Sequence, residues 1–453
     1  MIVRRDAIIG RAQSWRLLGL AALVVSVPAV AVAAPPAGTR PVAAESAMAH
    51  EAGHGAMGAP AVSRPGAALP AAETAATDLA LELQKLLGQH AVLAAELMRS
   101  RIRNDPDLAQ AANAAVGKNT RDMAAVVAGL GGEEASKGFS TQWSTHVAAL
   151  FNYARGLATD DRQVRDQAKA TLVTYEGRVG RDMEAGTGGA LSAAAVSKEL
   201  TQHVQELIDQ ADAFKAGNYT RAYTIQHHAH DHMFQLGATM ATGFSKAAGR
   251  PTSGLDSARW RLRSSLAMAL SEHAVLTTQA MRARVSGAPE FPAVAAALDT
   301  NTSELAGTIG AVYGDQAGAR FQSLWADHVD AFIAYADAVR TKEAAAQAKA
   351  RRTLSGFQGE FAGFLDKTSD GKLPAASLAA AFAEHDDMLL EQADAYAAKS
   401  YPQAHDLAYD AYQDVFGMSS SFAGAIADVA GARLPRGGAQ TGGGGMSGAL
   451  HGD

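Results

Sequence analysis

Apolar residues recur at helical spacing along most of the chain, and one such stretch occurs twice. In the stretch 139–153, steps of 4, 3, 4 and 3 residues separate Phe139, Trp143, His146, Leu150 and Tyr153. This spacing places all five side chains on one stripe of an α-helix. The stretch 321–335 repeats the pattern with Phe321, Trp325, His328, Phe332 and Tyr335. Each predicted helix therefore carries a histidine in the middle of an apolar face.

The same landmarks recur at a nearly constant displacement between residues 75 and 430. His328 follows His146 by 182 residues, and His273 follows His90 by 183. The segment 210–213, QADA, returns unchanged at 392–395. Such a register predicts a tandem duplication. Because helix formers dominate the periodic segments and no strand-like alternation occurs, we predict an all-α fold with two copies of a helical bundle of about six helices each.

Composition shifts divide the chain into five predicted segments. Residues 1–33 read as a signal peptide, 34–74 as a flexible leader, 75–247 and 248–430 as helical repeats 1 and 2, and 431–453 as a Gly-rich flexible tail. The segment 249–254, GRPTSG, is the predicted linker between the repeats.

The N-terminus has the features of an export signal. Four arginines precede an apolar run at 17–32, and 31–33 is an A-x-A cleavage site. The run is short for a membrane span and is broken by Pro28, so we expect a mature protein without a transmembrane segment in the periplasm, the cell envelope or the extracellular space. Arg4 and Arg5 leave the twin-arginine and general secretory routes both open.

Composition and charge narrow the classes of function. The chain of 453 residues has no cysteine, which excludes disulfides, thiolate metal sites and covalently attached c-type haem. The formal charge is −6 at pH 7, and no basic stripe with interleaved aromatic residues occurs, so a nucleic-acid partner is not expected.

Polar residues interrupt the apolar stripes at matched positions in both repeats. Three histidines and one asparagine from four predicted helices would converge in each bundle core, where imidazoles are ligands for zinc or copper. Met98 and Met281 are candidate additional ligands. A hydrogen-bonded core network without metal explains the pattern equally well. The predicted metal ligands are His90, His146, His203, His273, His328 and His385, with Asn119 and Asn301 as orienting or additional groups.

Two further groups of candidate ligands stand outside the repeated design. The segment HHAHDHM contains His227, His228, His230 and His232, in which His228 and His232 lie one helical turn apart and could chelate one ion. The leader carries imidazole and thioether groups that suit copper, with the sulfur atoms favouring Cu(I). These leader residues are Met48, His50, His54 and Met57.

Over residues 75–430 the chain loosely resembles secreted bacterial proteins built of tandem helical repeats, and this resemblance implies no catalytic residue. From the residues we predict an exported metal-binding protein that binds, stores or delivers copper, with zinc as the other candidate metal. A cell-envelope scaffold with structural histidines is the first alternative, and a bundle that binds haem or another small molecule is the second. No catalytic site is predicted, and whether the protein is an enzyme stays open.

Overall fold

The computed structural model describes residues 75–430, and these residues form helices joined by short loops. The predicted all-α class is therefore confirmed. We refer to residues 75–247 as the first half and to 248–430 as the second half. The first half contains α1 (Ala75–Ile102), α2 (Pro106–Ala158), α3 (Arg162–Gly186), α4 (Ala193–Lys215) and α5 (Tyr219–Ala247). After a 3-10 turn at Ser253–Asp256, the second half contains α6 (Ala258–Ser286), α7 (Phe291–Tyr313), α8 (Asp315–Thr341), α9 (Ala344–Thr368), α10 (Ala375–Ala397) and α11 (Tyr401–Ala430).

Several predicted features lie outside the described residues. They are the signal peptide, the leader with Met48, His50, His54 and Met57, and the Gly-rich tail. Within residues 75–430, no helix combines the length and the apolar character needed to cross a membrane.

Side-chain caps define where many of these helices begin. The Asp105 carboxylate accepts a hydrogen bond from the Leu108 amide, and Pro106 occupies the first turn of α2, where its missing N–H is not needed. Asp161 and Ser192 cap α3 and α4 in the same way. Because each cap satisfies an amide that has no partner inside its helix, it stabilises that helix by about 1 kcal/mol.

A glycine marks the junction between the second and third predicted helices of each half. In the first half both helices belong to α2, and Gly132 alone departs from helical geometry with φ 82° and ψ 178°. In the second half the matched Gly314 has φ 97° and ψ 158° and separates α7 from α8. The chain is therefore only kinked at Gly132 in the first half, whereas in the second half one helix ends and the next begins at Gly314.

The two halves pack against each other within one compact unit. Helix α5 of the first half contacts α7, helix α11 of the second half contacts α2, and α1 lies against α6. Gln226 and Gln279 exchange two side-chain hydrogen bonds of 3.0 and 3.1 Å across this joint. The joint also contains buried or partly buried ion pairs, which are Arg282 with Glu96 and Arg103 with Glu290.

A buried arginine ties three helices together in each half. Arg99 on α1 donates from Nε to Gln210 on α4 (3.0 Å) and from a terminal nitrogen to the Ala222 carbonyl on α5 (3.3 Å). The matched bonds of the second half run from Arg282 to Gln392 and Ala404. These bonds fix the relative positions of two of the three helices that carry the core histidines in each half.

Candidate metal centre

Three histidines meet in the core of the first half. His90 comes from α1, His146 from α2 and His203 from α4, and each is at most 1% exposed. Their ring centroids lie 5.3, 5.5 and 5.8 Å apart. One nitrogen of each ring lies within 4.8 Å of the corresponding nitrogens of the other two. The predicted convergence of these three residues is therefore present in the structure.

The nitrogens of this cluster have no hydrogen-bond partner among residues 75–430. Both ring nitrogens of His90, His146 and His203 are buried without one, as are Trp143 Nε1 and the Tyr175 hydroxyl. The Tyr175 ring stacks on His146 with a centroid distance of 4.8 Å and an interplanar angle of 11°. Buried polar groups are normally paired, and each unpaired one costs about 1–3 kcal/mol. Six unpaired imidazole nitrogens in one place indicate missing partners: one ion can bind the lone-pair nitrogen of each ring, and water molecules can accept from the three remaining N–H groups.

Burial keeps these histidines neutral. It lowers the pKa of His146 to about 3 and lowers the pKa values of His90 and His203 well below the ordinary histidine range. The neighbouring imidazoles lower the pKa values of His90 and His203 further. Near neutral pH each ring is therefore in the form that offers a lone pair to a metal ion.

Two of the three matched histidines of the second half have hydrogen-bond partners, although Nδ1 of His328 and Nδ1 of His385 are buried without one. His328 Nε2 lies 3.1 Å from the Asp386 carboxylate, which also accepts a bond of 2.9 Å from Gln358. His273 Nδ1 accepts from Trp325 Nε1 at 3.2 Å. His385 is buried nearby, with its ring centroid 6.4 Å from that of His273. The second half thus contains a hydrogen-bonded histidine core, which is the metal-free alternative considered from the sequence.

Two residue differences accompany this contrast, and the first of them accounts for the bond made by His328. Asp386 stands at the position of Val204 in the first half, so only the second half provides a carboxylate. Phe357 stands at the position of Tyr175 and stacks on His328 with a centroid distance of 4.3 Å and an interplanar angle of 12°. At these two positions the first half therefore has no carboxylate to pair with His146, and it has the unpaired hydroxyl of Tyr175 instead of an apolar ring.

The predicted asparagine and methionine groups bond to other residues than the core histidines. Asn119 donates to the Leu86 carbonyl at 3.0 Å, and Asn301 donates to the Ala269 carbonyl at 2.9 Å, so both amides cross-link helices. The sulfur atoms of Met98 and Met281 each accept a weak hydrogen bond of 3.8 Å, from Gln210 and Gln392 respectively. Eight residues along a helix correspond to about 12 Å, which places Met98 far from His90.

The four histidines of α5 contact different neighbours. His232 is bound between Glu206 and Glu199, with 3.0 Å to each. His230 Nε2 lies 3.2 Å from the Tyr412 hydroxyl, and His227 Nδ1 lies 2.8 Å from Glu272. His228 is exposed. The structure therefore does not bring His228 and His232 together with a third ligand.

Sequence reasoning missed several residues at these sites. Glu199, Glu206 and Asp386 supply carboxylates to histidines, and Tyr175 supplies an unpaired hydroxyl. His405 is buried with Nε2 3.8 Å from Glu96. The available signal was the set of positions at which the two halves differ, since Val204 and Asp386 occupy matched places beside a matched histidine.

Comparisons with known proteins found no matching family model, no matching curated protein and no matching solved structure.

Proposed function

We propose that the first half binds one transition-metal ion through His90, His146 and His203. The observation that carries this proposal is the set of six buried ring nitrogens without a hydrogen-bond partner. Three neutral imidazoles are a sufficient ligand set for zinc, copper or a similar ion. A tetrahedral ion at about 2.0–2.1 Å from each ligand sets the nitrogens about 3.4 Å apart. Small ring rotations from the observed separations would reach that geometry.

Copper is the metal we propose first, with zinc second. An imidazole site binds divalent copper more tightly than the other divalent ions of the first transition row. The described methionines do not contribute to this choice, because Met98 is bonded to Gln210. The choice of copper over zinc therefore depends on the intrinsic preference of nitrogen ligands for divalent copper and on the histidines and methionines of the predicted leader.

We further propose that the protein is exported and that it holds copper for storage or delivery. Complete burial of all three ligands suits retention of an ion. The signal-like N-terminus supports a location outside the cytoplasm, where a leader with imidazole and thioether groups could collect copper and pass it on.

The scaffold alternative draws support from the second half. There His328 Nε2 pairs with the buried Asp386 and His273 accepts a hydrogen bond from Trp325, so each of these two histidines has a partner in the protein without metal. The haem alternative draws less support, because ring centroids only 4.6–5.5 Å from that of His90 favour a single ion over a macrocycle.

Metal analysis of the mature chain, isolated without a histidine tag, tests the proposed function. We expect about one tightly held copper ion per chain at the core site. His146→Ala should weaken copper binding about 100-fold or more, because it removes a ligand. Loss of a residue that only hydrogen-bonds a ligand already weakens metal binding about 10- to 100-fold. His273→Ala is the control, because it removes a histidine from the core of the second half, and it should leave the core ion of the first half in place.

A zinc ion held with the same dependence on His146 would correct the metal and keep the site. A chain that binds no ion, or one whose ion survives His146→Ala and is lost in His273→Ala, would overturn the proposal. Visible absorption of the isolated protein would separately reveal a haem.

A further inference from the structure

A second group of metal-ligand side chains lies where the first half packs against the second. His227 on α5, Glu272 on α6 and Glu304 on α7 each place one ligand atom within 4.8 Å of the other two. His227 Nδ1 and the Glu272 carboxylate are 2.8 Å apart. Glu272 is buried, His227 is half-buried and Glu304 is exposed, so the group opens to solvent on one side.

Negative charge is concentrated around this group. Burial raises the pKa of Glu304, and the nearby carboxylates of Glu272 and Asp231 raise it further. Burial and Glu272 likewise raise the pKa of Asp231. His227 lowers the pKa of both carboxyls. Two carboxylates thus lie within 4.8 Å of each other beside one histidine, with Asp231 close enough to act on Glu304, and a divalent cation would relieve their repulsion.

The matched positions on the other side of the joint provide an internal reference. Tyr409 stands at the position of His227, Gln89 at that of Glu272 and Asp122 at that of Glu304. There the Tyr409 hydroxyl donates to Asp122, and Gln413 donates to Gln89 Oε1 at 2.7 Å. At the reference position the side chains therefore bond to one another. Of these side chains only Asp122 is a common metal ligand.

A lysine completes the reference position. Lys118 Nζ lies 2.9 Å from Asp410 and 4.1 Å above the Tyr409 ring. Its counterpart beside the His227 group is Thr300, the counterpart of Asp410 is His228 and the counterpart of Gln413 is Asp231. The Lys118–Asp410 ion pair is therefore replaced as a pair on the side of the joint that carries the ligand-type residues, and two carboxylates, Glu272 and Asp231, stand there in place of two glutamines. A bound cation fits the added carboxylates.

We propose that His227, Glu272 and Glu304 bind a divalent transition-metal ion of the zinc class at the joint between the halves. One imidazole and two carboxylates are common zinc ligands, and a water molecule can take the fourth position on the open side. Because the ligands come from α5, α6 and α7, the ion links the two halves. This site shares no residue with the His90 cluster and does not depend on it.

Zinc titration of the full mature chain carrying His146→Ala tests this site in isolation from the buried one. Isothermal calorimetry should detect Zn²⁺ binding that Glu304→Gln weakens about tenfold or more. Glu304 is exposed, so its substitution leaves the fold intact, and His227→Gln should have an equal or larger effect. His228→Gln is the matched control on the same helix, and we expect a change of less than about threefold.

Melting temperature provides a second readout. Zn²⁺ should raise the melting temperature of the His146→Ala chain and of its His228→Gln derivative, and the Glu304→Gln derivative should lose this rise. The same comparison of the parent chain with its His228→Gln and Glu304→Gln derivatives is repeated with His146 intact, which shows whether a folding defect caused by His146→Ala affects the result. Binding that requires His228 and not Glu304 would overturn the proposal, as would binding that none of the three substitutions alters.

Discussion

The histidine cores of the two halves contain histidines at matched positions but differ in their hydrogen bonds. His90, His146 and His203 leave all their ring nitrogens unpaired. Their counterparts in the second half include His328, which pairs with Asp386, and His273, which accepts from Trp325. Since both cores are equally buried, the difference lies in the neighbours and not in solvent exposure.

This contrast shows that a matched histidine does not define a matched function. A buried imidazole can be satisfied by a carboxylate, by an indole N–H or by a metal ion. Asp386 supplies the first of these in the second half, whereas Val204 offers nothing polar at the same place. The proposed metal site therefore belongs to the half in which the protein itself supplies no partner.

Removing Asp386 should have the largest effect on stability. Asp386→Val gives the second half the residue of the first half and leaves His328 Nε2 and the Gln358 amide without their acceptor. A buried donor left without its acceptor costs about 1–3 kcal/mol, and this substitution removes the acceptor of two donors. Urea unfolding of the metal-free chain should show a loss of that order.

Asp386→Asn is the control for this substitution, because an amide oxygen can still accept one of the two bonds. We expect its cost to be smaller than that of Asp386→Val. Equal stability of the wild type and the valine variant would mean that the pair does not hold the second core together.

Placing a carboxylate in the first half should produce an intermediate effect. Val204→Asp gives His146 an acidic neighbour like that of His328, and an adjacent negative charge favours the imidazolium form. The pKa of His146 should rise from about 3 in the metal-free chain. Nuclear magnetic resonance titration of the imidazole carbons measures this value directly.

Val204→Asn has nearly the same shape without the charge, and it should leave the pKa of His146 low. If both variants raise that pKa equally, water entry explains the change, and the carboxylate does not account for the difference between the cores.

Helical spacing was enough to predict most of the fold. The stripe through Trp143 and His146 packs into the core as expected, and histidines from three helices meet. Spacing defines a face of a helix but not the height of a residue relative to the next helix. For that reason the sequence grouped Asn119 and Met98 with His90, although Asn119 bonds to the α1 backbone and Met98 to Gln210.

The contacts between the two halves could not be predicted from helical spacing. Helix α5 lies between α4 and the second half, so neighbouring histidines on it face different helices. His232 pairs with Glu206 on α4, whereas His227 pairs with Glu272 on α6. Pairing residues by their spacing on one helix suggested His228 with His232, because the positions of the partner helices could not be read from the chain.

The smallest predicted effect is a pH dependence that belongs to the first half alone. His232 contacts Glu206 and Glu199, which are replaced by Met388 and Ala381 at the matched positions. Burial lowers the pKa of His232, but these two carboxylates outweigh it, and the net pKa is raised. A raised folded-state pKa gives stability that is complete below the unfolded value of about 6.5 and is lost as pH rises through the folded value.

The free energy of unfolding of the wild type should therefore fall more steeply above about pH 6.5 than that of His232→Gln. The pKa of His227 is also raised, to about 9, but His227 is present in both chains, so its contribution cancels from the difference. Urea unfolding of both chains between pH 6 and 10 measures the two slopes. Parallel curves would show that His232 carries no extra proton in the folded state, and its two carboxylates would then act only as hydrogen-bond acceptors.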